Sequence, residues 1–274
     1  MGKATLSVTT DIFPPDEVAD CLEFCTKLGL AGVELGPHLG KERRSESLAA
    51  LRQAFDRLPV RPLSVHSWTQ VEGLEEVCAF TRELGAGLIV VHCRHEKITD
   101  DFENQVEMLR RHDAWCRENG ITLTVENSSS QPLEPFVRLF EALPGLRMTL
   151  DVKHAYKPET LGLTHVDYMR ELGDRPANFH VSGIDRAREL LGDGCPPGRD
   201  AISWADLAAD LAAREYSGLI TMEVILPKYL SPEEREEAYF DLPTARAELP
   251  TLSHRLMKHS VDYFREALAA CLES

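Results

Sequence analysis

Along this 274-residue chain, short β-branched and apolar runs alternate with longer stretches in which apolar residues return every three or four positions. The short runs predict strands at LSVTT (6–10), GVELG (32–36), PLSVHSW (62–68) and LIVVHC (88–93). Four more follow at ITLTVEN (121–127), RMTLDV (147–152), ANFHVSG (177–183) and LITMEVI (219–225). These runs read as continuous rather than alternating, the pattern of parallel strands buried on both faces. The segments PDEVADCLEFCTKLG, SLAALRQAFDRL, LEEVCAFTRELG, DFENQVEMLRRHDAWCRENG and SWADLAADLAAREYSG carry the helical period. Gly29, Gly85, Gly120 and Gly218 stand where such helices stop.

Eight strand–helix units predict an α/β fold with one domain over residues 1–274, a single closed (β/α)8 TIM barrel. An open doubly wound sheet is the alternative. Two connections exceed ordinary βα length, residues 182–202 after strand seven and 226–250 after strand eight. Long loops there shape the mouth of a barrel. The second contains a helical pattern, SPEEREEAYF, and reads as a lid, a solvated excursion or an interface element of a homo-oligomer. A final helix, about residues 251–272, closes the barrel.

Composition narrows the function. With 43% hydrophobic and 27% charged residues the chain reads as a soluble globular protein. A net charge of −15 repels phosphate backbones, which disfavours nucleic acid and points to a small-molecule substrate. No window reaches the length of an apolar membrane span, and the N-terminal residues lack a signal-peptide run. The seven cysteines are an odd number without a CxxC pair, so they read as free buried thiols in a cytoplasmic protein.

The chemistry of a barrel gathers at the C-terminal ends of its strands. There the sequence puts His66 on strand three, His92 on strand four, Glu126 on strand five, Asp151 on strand six, His180 on strand seven and Glu223 on strand eight. A lone glutamate at a strand end is as readily an ion pair or a loop cap; repetition at one rim is the informative feature. Mixed carboxylate and imidazole donors suit a divalent metal (Mn, Zn, Co or Fe, with Mg less favoured). Two carboxylates facing each other across that metal would act as an acid–base pair in proton transfer next to a carbonyl. Trp68, just beyond His66, is placed to stack on a substrate, whereas Trp204 reads equally as packing. Glu34, ending strand two, either orients a neighbouring group or makes a structural ion pair.

The motifs VEN with Glu126, LDVKH with Asp151 and His154, FHVSGIDR with His180 and Arg186, PPGRDAISW, and TMEV with Glu223 resemble the xylose-isomerase-like barrel superfamily. That superfamily includes sugar and sugar-phosphate isomerases and epimerases, inosose-processing enzymes and AP endonucleases. The resemblance covers nearly the whole chain and is clearest over residues 121–225. The Asp-x-x-His and His-x5-Arg spacings resemble the ketose 3-epimerases in particular. This resemblance implies metal ligands at Glu126, Asp151, His180 and Glu223, with the two glutamates moving protons and His154 and Arg186 binding substrate oxygens. His66, His92 and Trp68 join the expected substrate-binding set. The two histidines also resemble those that AP endonucleases use for a multinuclear zinc site, and the ENSS segment after Glu126 leans the same way. The Asp-x-His pair of such a site is replaced by Asp193-Gly194-Cys195. The expected function is a metal-dependent isomerase or epimerase of a small sugar, ketose or inosose-like compound acting through an enediolate. The alternatives are a zinc phosphodiesterase of the AP endonuclease type and a non-catalytic sugar-binding barrel.

Overall fold

The structure is a computed structural model, and it describes residues 4–37, 44–93, 100–127, 132–156, 163–184, 193–198, 202–225, 231–238 and 249–273. In chain order the strands are β1 (Thr5–Thr9), β2 (Gly32–Leu35), β3 (Arg61–His66), β4 (Leu88–His92), β5 (Thr122–Glu126), β6 (Arg147–Asp151), β7 (Pro176–Val181), β8 (Gly183–Ile184), β9 (Asp193–Cys195) and β10 (Leu219–Met222). Eight of them, β1 to β7 and β10, form a closed parallel barrel, with β10 lying between β7 and β1. The short β8 and β9 pair antiparallel in the connection after β7. Every run expected to be a barrel strand overlaps one; β1, β3 and β7 start one residue earlier than expected, and every strand ends one to three residues sooner.

The strands alternate more sharply than their sequences suggest. On β5, Leu123 and Val125 join the apolar core while Thr124 and Glu126 point into the barrel. On β7, Phe179 and Val181 pack outward and Asn178 and His180 inward. The expectation of continuous apolar strands is therefore corrected. Both faces are buried, but the inner one is lined with hydroxyl, amide and ionisable groups that find partners across the barrel. Period-two alternation puts the functional residues on that inner face.

The helices that cover the barrel are α1 (Val18–Lys27), α2 (Arg44–Arg57), α3 (Leu74–Leu84), α4 (Phe102–Glu118), α5 (Leu133–Ala142), α6 (Val152–Ala155), α7 (His165–Leu172), α8 (Trp204–Ala213), α9 (Pro232–Ala238) and α10 (Leu252–Glu273). Helix α3 shows why its segment folds as it does. Leu74, Val77, Cys78 and Thr81 recur on one buried stripe, and Gly85 ends the helix at φ +74°. The Gly85 and Ala86 N–H groups then bond to the Arg82 and Thr81 carbonyls, both at 3.1 Å. Gly218 has a different role from the helix stop expected of it. Helix α8 ends five residues earlier, with Glu215 at φ +50°. A side chain at Gly218 would collide with the Ala177 carbonyl and the Tyr216 hydroxyl, so close approach between strands demands glycine there.

Helix α10 closes the outer ring, as its sequence led us to expect. It packs Phe264 edge-on against Trp204 of α8, and Ser253 donates to the Ile12 carbonyl at 2.7 Å. Trp204 is thus a packing residue. Cys21, Cys25, Cys78 and Cys116 lie on buried faces of α1, α3 and α4, and none of the seven cysteines forms a disulfide. Among the described residues no helix is long and apolar enough to cross a membrane.

Candidate metal centre

The barrel interior is built in two tiers. In the lower one, the Ser7 hydroxyl lies 2.7 Å from that of Thr221, which donates to Asn178 Oδ1 at 3.0 Å. Asn178 and Ser64 both donate to Glu34 Oε2, at 3.3 and 2.8 Å. This lattice holds the buried Glu34 carboxylate beneath the upper tier, with Oε1 3.0 Å from His180 Nε2 and 3.7 Å from His66 Nδ1.

The upper tier is the rim that the sequence marks out. Glu126, the last residue of β5, puts Oε1 2.7 Å from His180 Nδ1. Its Oε2 lies 2.5 Å from His92 Nε2 and 3.2 Å from His66 Nε2. Glu223, one residue past β10, puts Oε1 3.5 Å from His180 Nδ1. Asp151 ends β6 and caps α6, its Oδ1 accepting the His154 N–H at 3.2 Å. Asn127 staples the neighbouring strand ends together: it donates to the Asp151 carbonyl at 2.9 Å and accepts the Asp151 N–H at 2.8 Å. Lys153, on α6, reaches back so that Nζ is 2.9 Å from Asp151 Oδ2 and 2.8 Å from Glu223 Oε2.

These buried charges set one another. Burial opposes the charge on Glu126, but His180, His92 and His66 together hold its carboxyl well below the usual range. For Glu223 burial is again outweighed, by Lys153 and then His180, which bring it down to about 2. Burial likewise works against the His66 imidazolium, yet Glu126, Glu34 and Glu223 push it up to about 9. His180 is raised well above its ordinary value by Glu34, Glu223 and Glu126 against the same burial cost. The carboxylates thus take imidazolium groups and an ammonium as counter-charges.

Glu126, Asp151, His180 and Glu223 each offer one ligand atom, and the four atoms lie within 4.8 Å of one another. Donors at about 2.0–2.2 Å from one ion span a similar distance. Asp151 Oδ2 is fully buried and accepts no well-directed hydrogen bond, although Lys153 is close. That buried oxygen, with carboxylate and imidazole donors around it, fits a divalent transition ion. His66, His92 and Glu126 form a second group of donors and share Glu126 with the first.

A pocket of about 410 Å³ opens over this rim, lined by His66, Trp68, His92, Glu126, Lys153, His154 and Glu223 among others. Trp68 packs edge-on against Phe80, with ring centroids 5.3 Å apart. His92 is the exposed member of the histidine pair, its side chain 39% accessible against 7% for His66. Arg186 lies outside the described residues. Cys195 pairs with Gly183 in the small ladder and belongs to none of the donor groups found among the described residues. His112, His165 and His254 are buried and belong to none of these donor groups. Sequence reasoning missed two residues, Lys153 and Asn127. Both stand inside the quoted motifs, and a lysine between Asp151 and His154 was the readable signal of a tethered cation.

Solved structures with the same fold include D-psicose 3-epimerase from Clostridium cellulolyticum H10, crystallised with D-tagatose. It is 14% identical over 96% of this chain and 99% of its own, with a TM-score of 0.72. An L-ribulose 3-epimerase is 14% identical over 99% of this chain and 96% of its own, with a TM-score of 0.71. The IOLI protein, crystallised with a bound zinc atom, is 15% identical over 97% and 98%, with a TM-score of 0.68. No curated protein sequence matches the chain significantly. Residues 22–242 match the family described as xylose isomerase-like TIM barrel. The closed eight-stranded barrel, the donor-rich rim and this match together make the chain a member of the xylose isomerase-like TIM barrel family.

Proposed function

We propose that the protein is a metal-dependent isomerase or epimerase of a small polyhydroxylated carbonyl compound. The observation that carries this reading is the convergence of Glu126, Asp151, His180 and Glu223 under a pocket of about 410 Å³, a volume suited to a monosaccharide-sized molecule. The names of the epimerases that share the fold support it. A bound divalent cation would supply Lewis-acid stabilisation to adjacent substrate oxygens. Glu126 and Glu223 remove and return the proton at the substrate carbon beside the carbonyl, giving an enediolate in between. His154, Trp68 and His92 on the pocket wall hold the substrate, and Arg186 takes the substrate-oxygen role that the family resemblance implies. Incubating metal-loaded protein with ketoses and inososes in deuterated water tests the proposal. Deuterium should enter at a carbon next to the carbonyl; no exchange with any of them removes the proton-transfer reading.

One geometric feature favours a second reading, hydrolysis of a small phosphoester. Glu126 turns one oxygen to each of two donor groups, so it is placed to bridge two ions. Metal stoichiometry separates the readings: one tightly bound ion per chain favours proton transfer, and two or three favour hydrolysis.

A further inference from the structure

Neither the proposed proton transfer nor the four-residue donor set uses Lys153. It is 3% exposed, and its ammonium touches Asp151 Oδ2 at 2.9 Å and Glu223 Oε2 at 2.8 Å. Those carboxylates are half of the donor group. Asp151 Oδ1 already accepts the His154 N–H as the cap of α6, which leaves Oδ2, the oxygen facing Lys153, as the better placed donor. An ion bound by Asp151 and Glu223 and this ammonium therefore want the same oxygen.

We propose that Lys153 is an internal placeholder cation, held against Asp151 and Glu223 when the protein is metal-free and driven off them into the substrate pocket when a divalent ion enters. Its side chain already lines that pocket beside His154, so the path is short. The proposal rests on the reading of the four residues as a metal site.

The physical case is one of charge. Glu34, Glu126, Asp151 and Glu223 are all buried in one connected cluster. Uncompensated, such carboxylates are costly to bury. A tethered ammonium neutralises one of them without any ion and keeps the metal-free barrel folded. The same charge repels an incoming dication, so the ion is held less tightly than the donors alone would hold it. Metal exchange, rather than permanent occupancy, follows from that opposition.

The test measures Mn²⁺ affinity by chelator competition, and melting temperature with and without Mn²⁺, for wild type, Lys153→Met, Lys153→Gln and Lys153→Arg. Both neutral variants should bind Mn²⁺ about tenfold or more tightly than wild type, and Lys153→Arg should stay within about threefold of it. The neutral variants should also melt lower in chelator and gain more from Mn²⁺. Lys153→Gln keeps hydrogen-bond donors to the carboxylates and supplies the result should Lys153→Met fail to fold metal-free. Equal or weaker Mn²⁺ binding in the neutral variants overturns the placeholder role alone. Failure of every protein, wild type included, to bind any divalent ion overturns the metal site and the placeholder with it.

Discussion

Replacing Glu34 with glutamine should weaken metal binding without disturbing the barrel. Glu34 is fully buried, with Oε2 held by Ser64 and Asn178 and Oε1 3.0 Å from His180 Nε2. An imidazole that gives one ring nitrogen to an ion presents the other N–H to an acceptor, and a carboxylate there fixes the ring and makes it a better donor. A hydrogen bond to a charged group contributes about 1.5–3 kcal/mol. Here Nε2 and Oε1 are close but poorly aligned, since neither atom has a well-directed hydrogen bond among the described residues. The lower end of the range therefore applies, about 1.5 kcal/mol or slightly more than a tenfold loss of affinity. Glu34→Gln keeps an acceptor for Ser64 and Asn178, so the fold should survive. The assay is chelator competition for Mn²⁺ or Zn²⁺, with circular dichroism to confirm folding. A folded Glu34→Gln protein that binds the ion within about twofold of wild type would reduce Glu34 to barrel packing and refute the reasoning.

Metal uptake should release protons near neutral pH. His180 is raised well above its ordinary value, so it is protonated there and must lose that proton to coordinate. Calorimetry in buffers of different ionisation enthalpy should show buffer-dependent heats, and buffer-independent heats would contradict the assignment. The metal-free protein should lose stability on the alkaline side. The His66 pKa is raised from 6.5 to about 9, so its stabilisation is fully present below 6.5 and lost as pH rises through about 9. The loss is on the order of 3 kcal/mol, read as a falling melting temperature in chelator between those pH values; a flat profile would remove His66 as the cause. Asn127→Ala leaves the Asp151 N–H and carbonyl without their partner and should cost about 2–4 kcal/mol in denaturant melts. A cost below about 1 kcal/mol would mean that water replaces the staple.

The barrel was legible because parallel strands and amphipathic helices leave separate periods in the chain. The rim residues were legible because each falls at or beyond the middle of a predicted strand. Helices α5 and α7 were harder to read: α5 follows Pro132 and carries Pro135 in its first turn, and α7 has only eight residues. Glu34 was visible as a strand-end carboxylate, but its link to His180 spans the barrel from β2 to β7. No local pattern encodes such a pairing. The same holds for Lys153 and Glu223, seventy positions apart and 2.8 Å apart in space. The alternation of the inner face was hidden because Thr, Ser and Asn substitute for apolar residues inside strands without breaking the look of a buried run.

A crystal structure of the protein loaded with zinc or manganese, with anomalous scattering to locate the ion, tests the account most directly. It predicts an ion coordinated by Glu126, Asp151, His180 and Glu223, with zinc at about 2.0–2.2 Å from its donors. An ion bound elsewhere, or none at saturating metal, would contradict it.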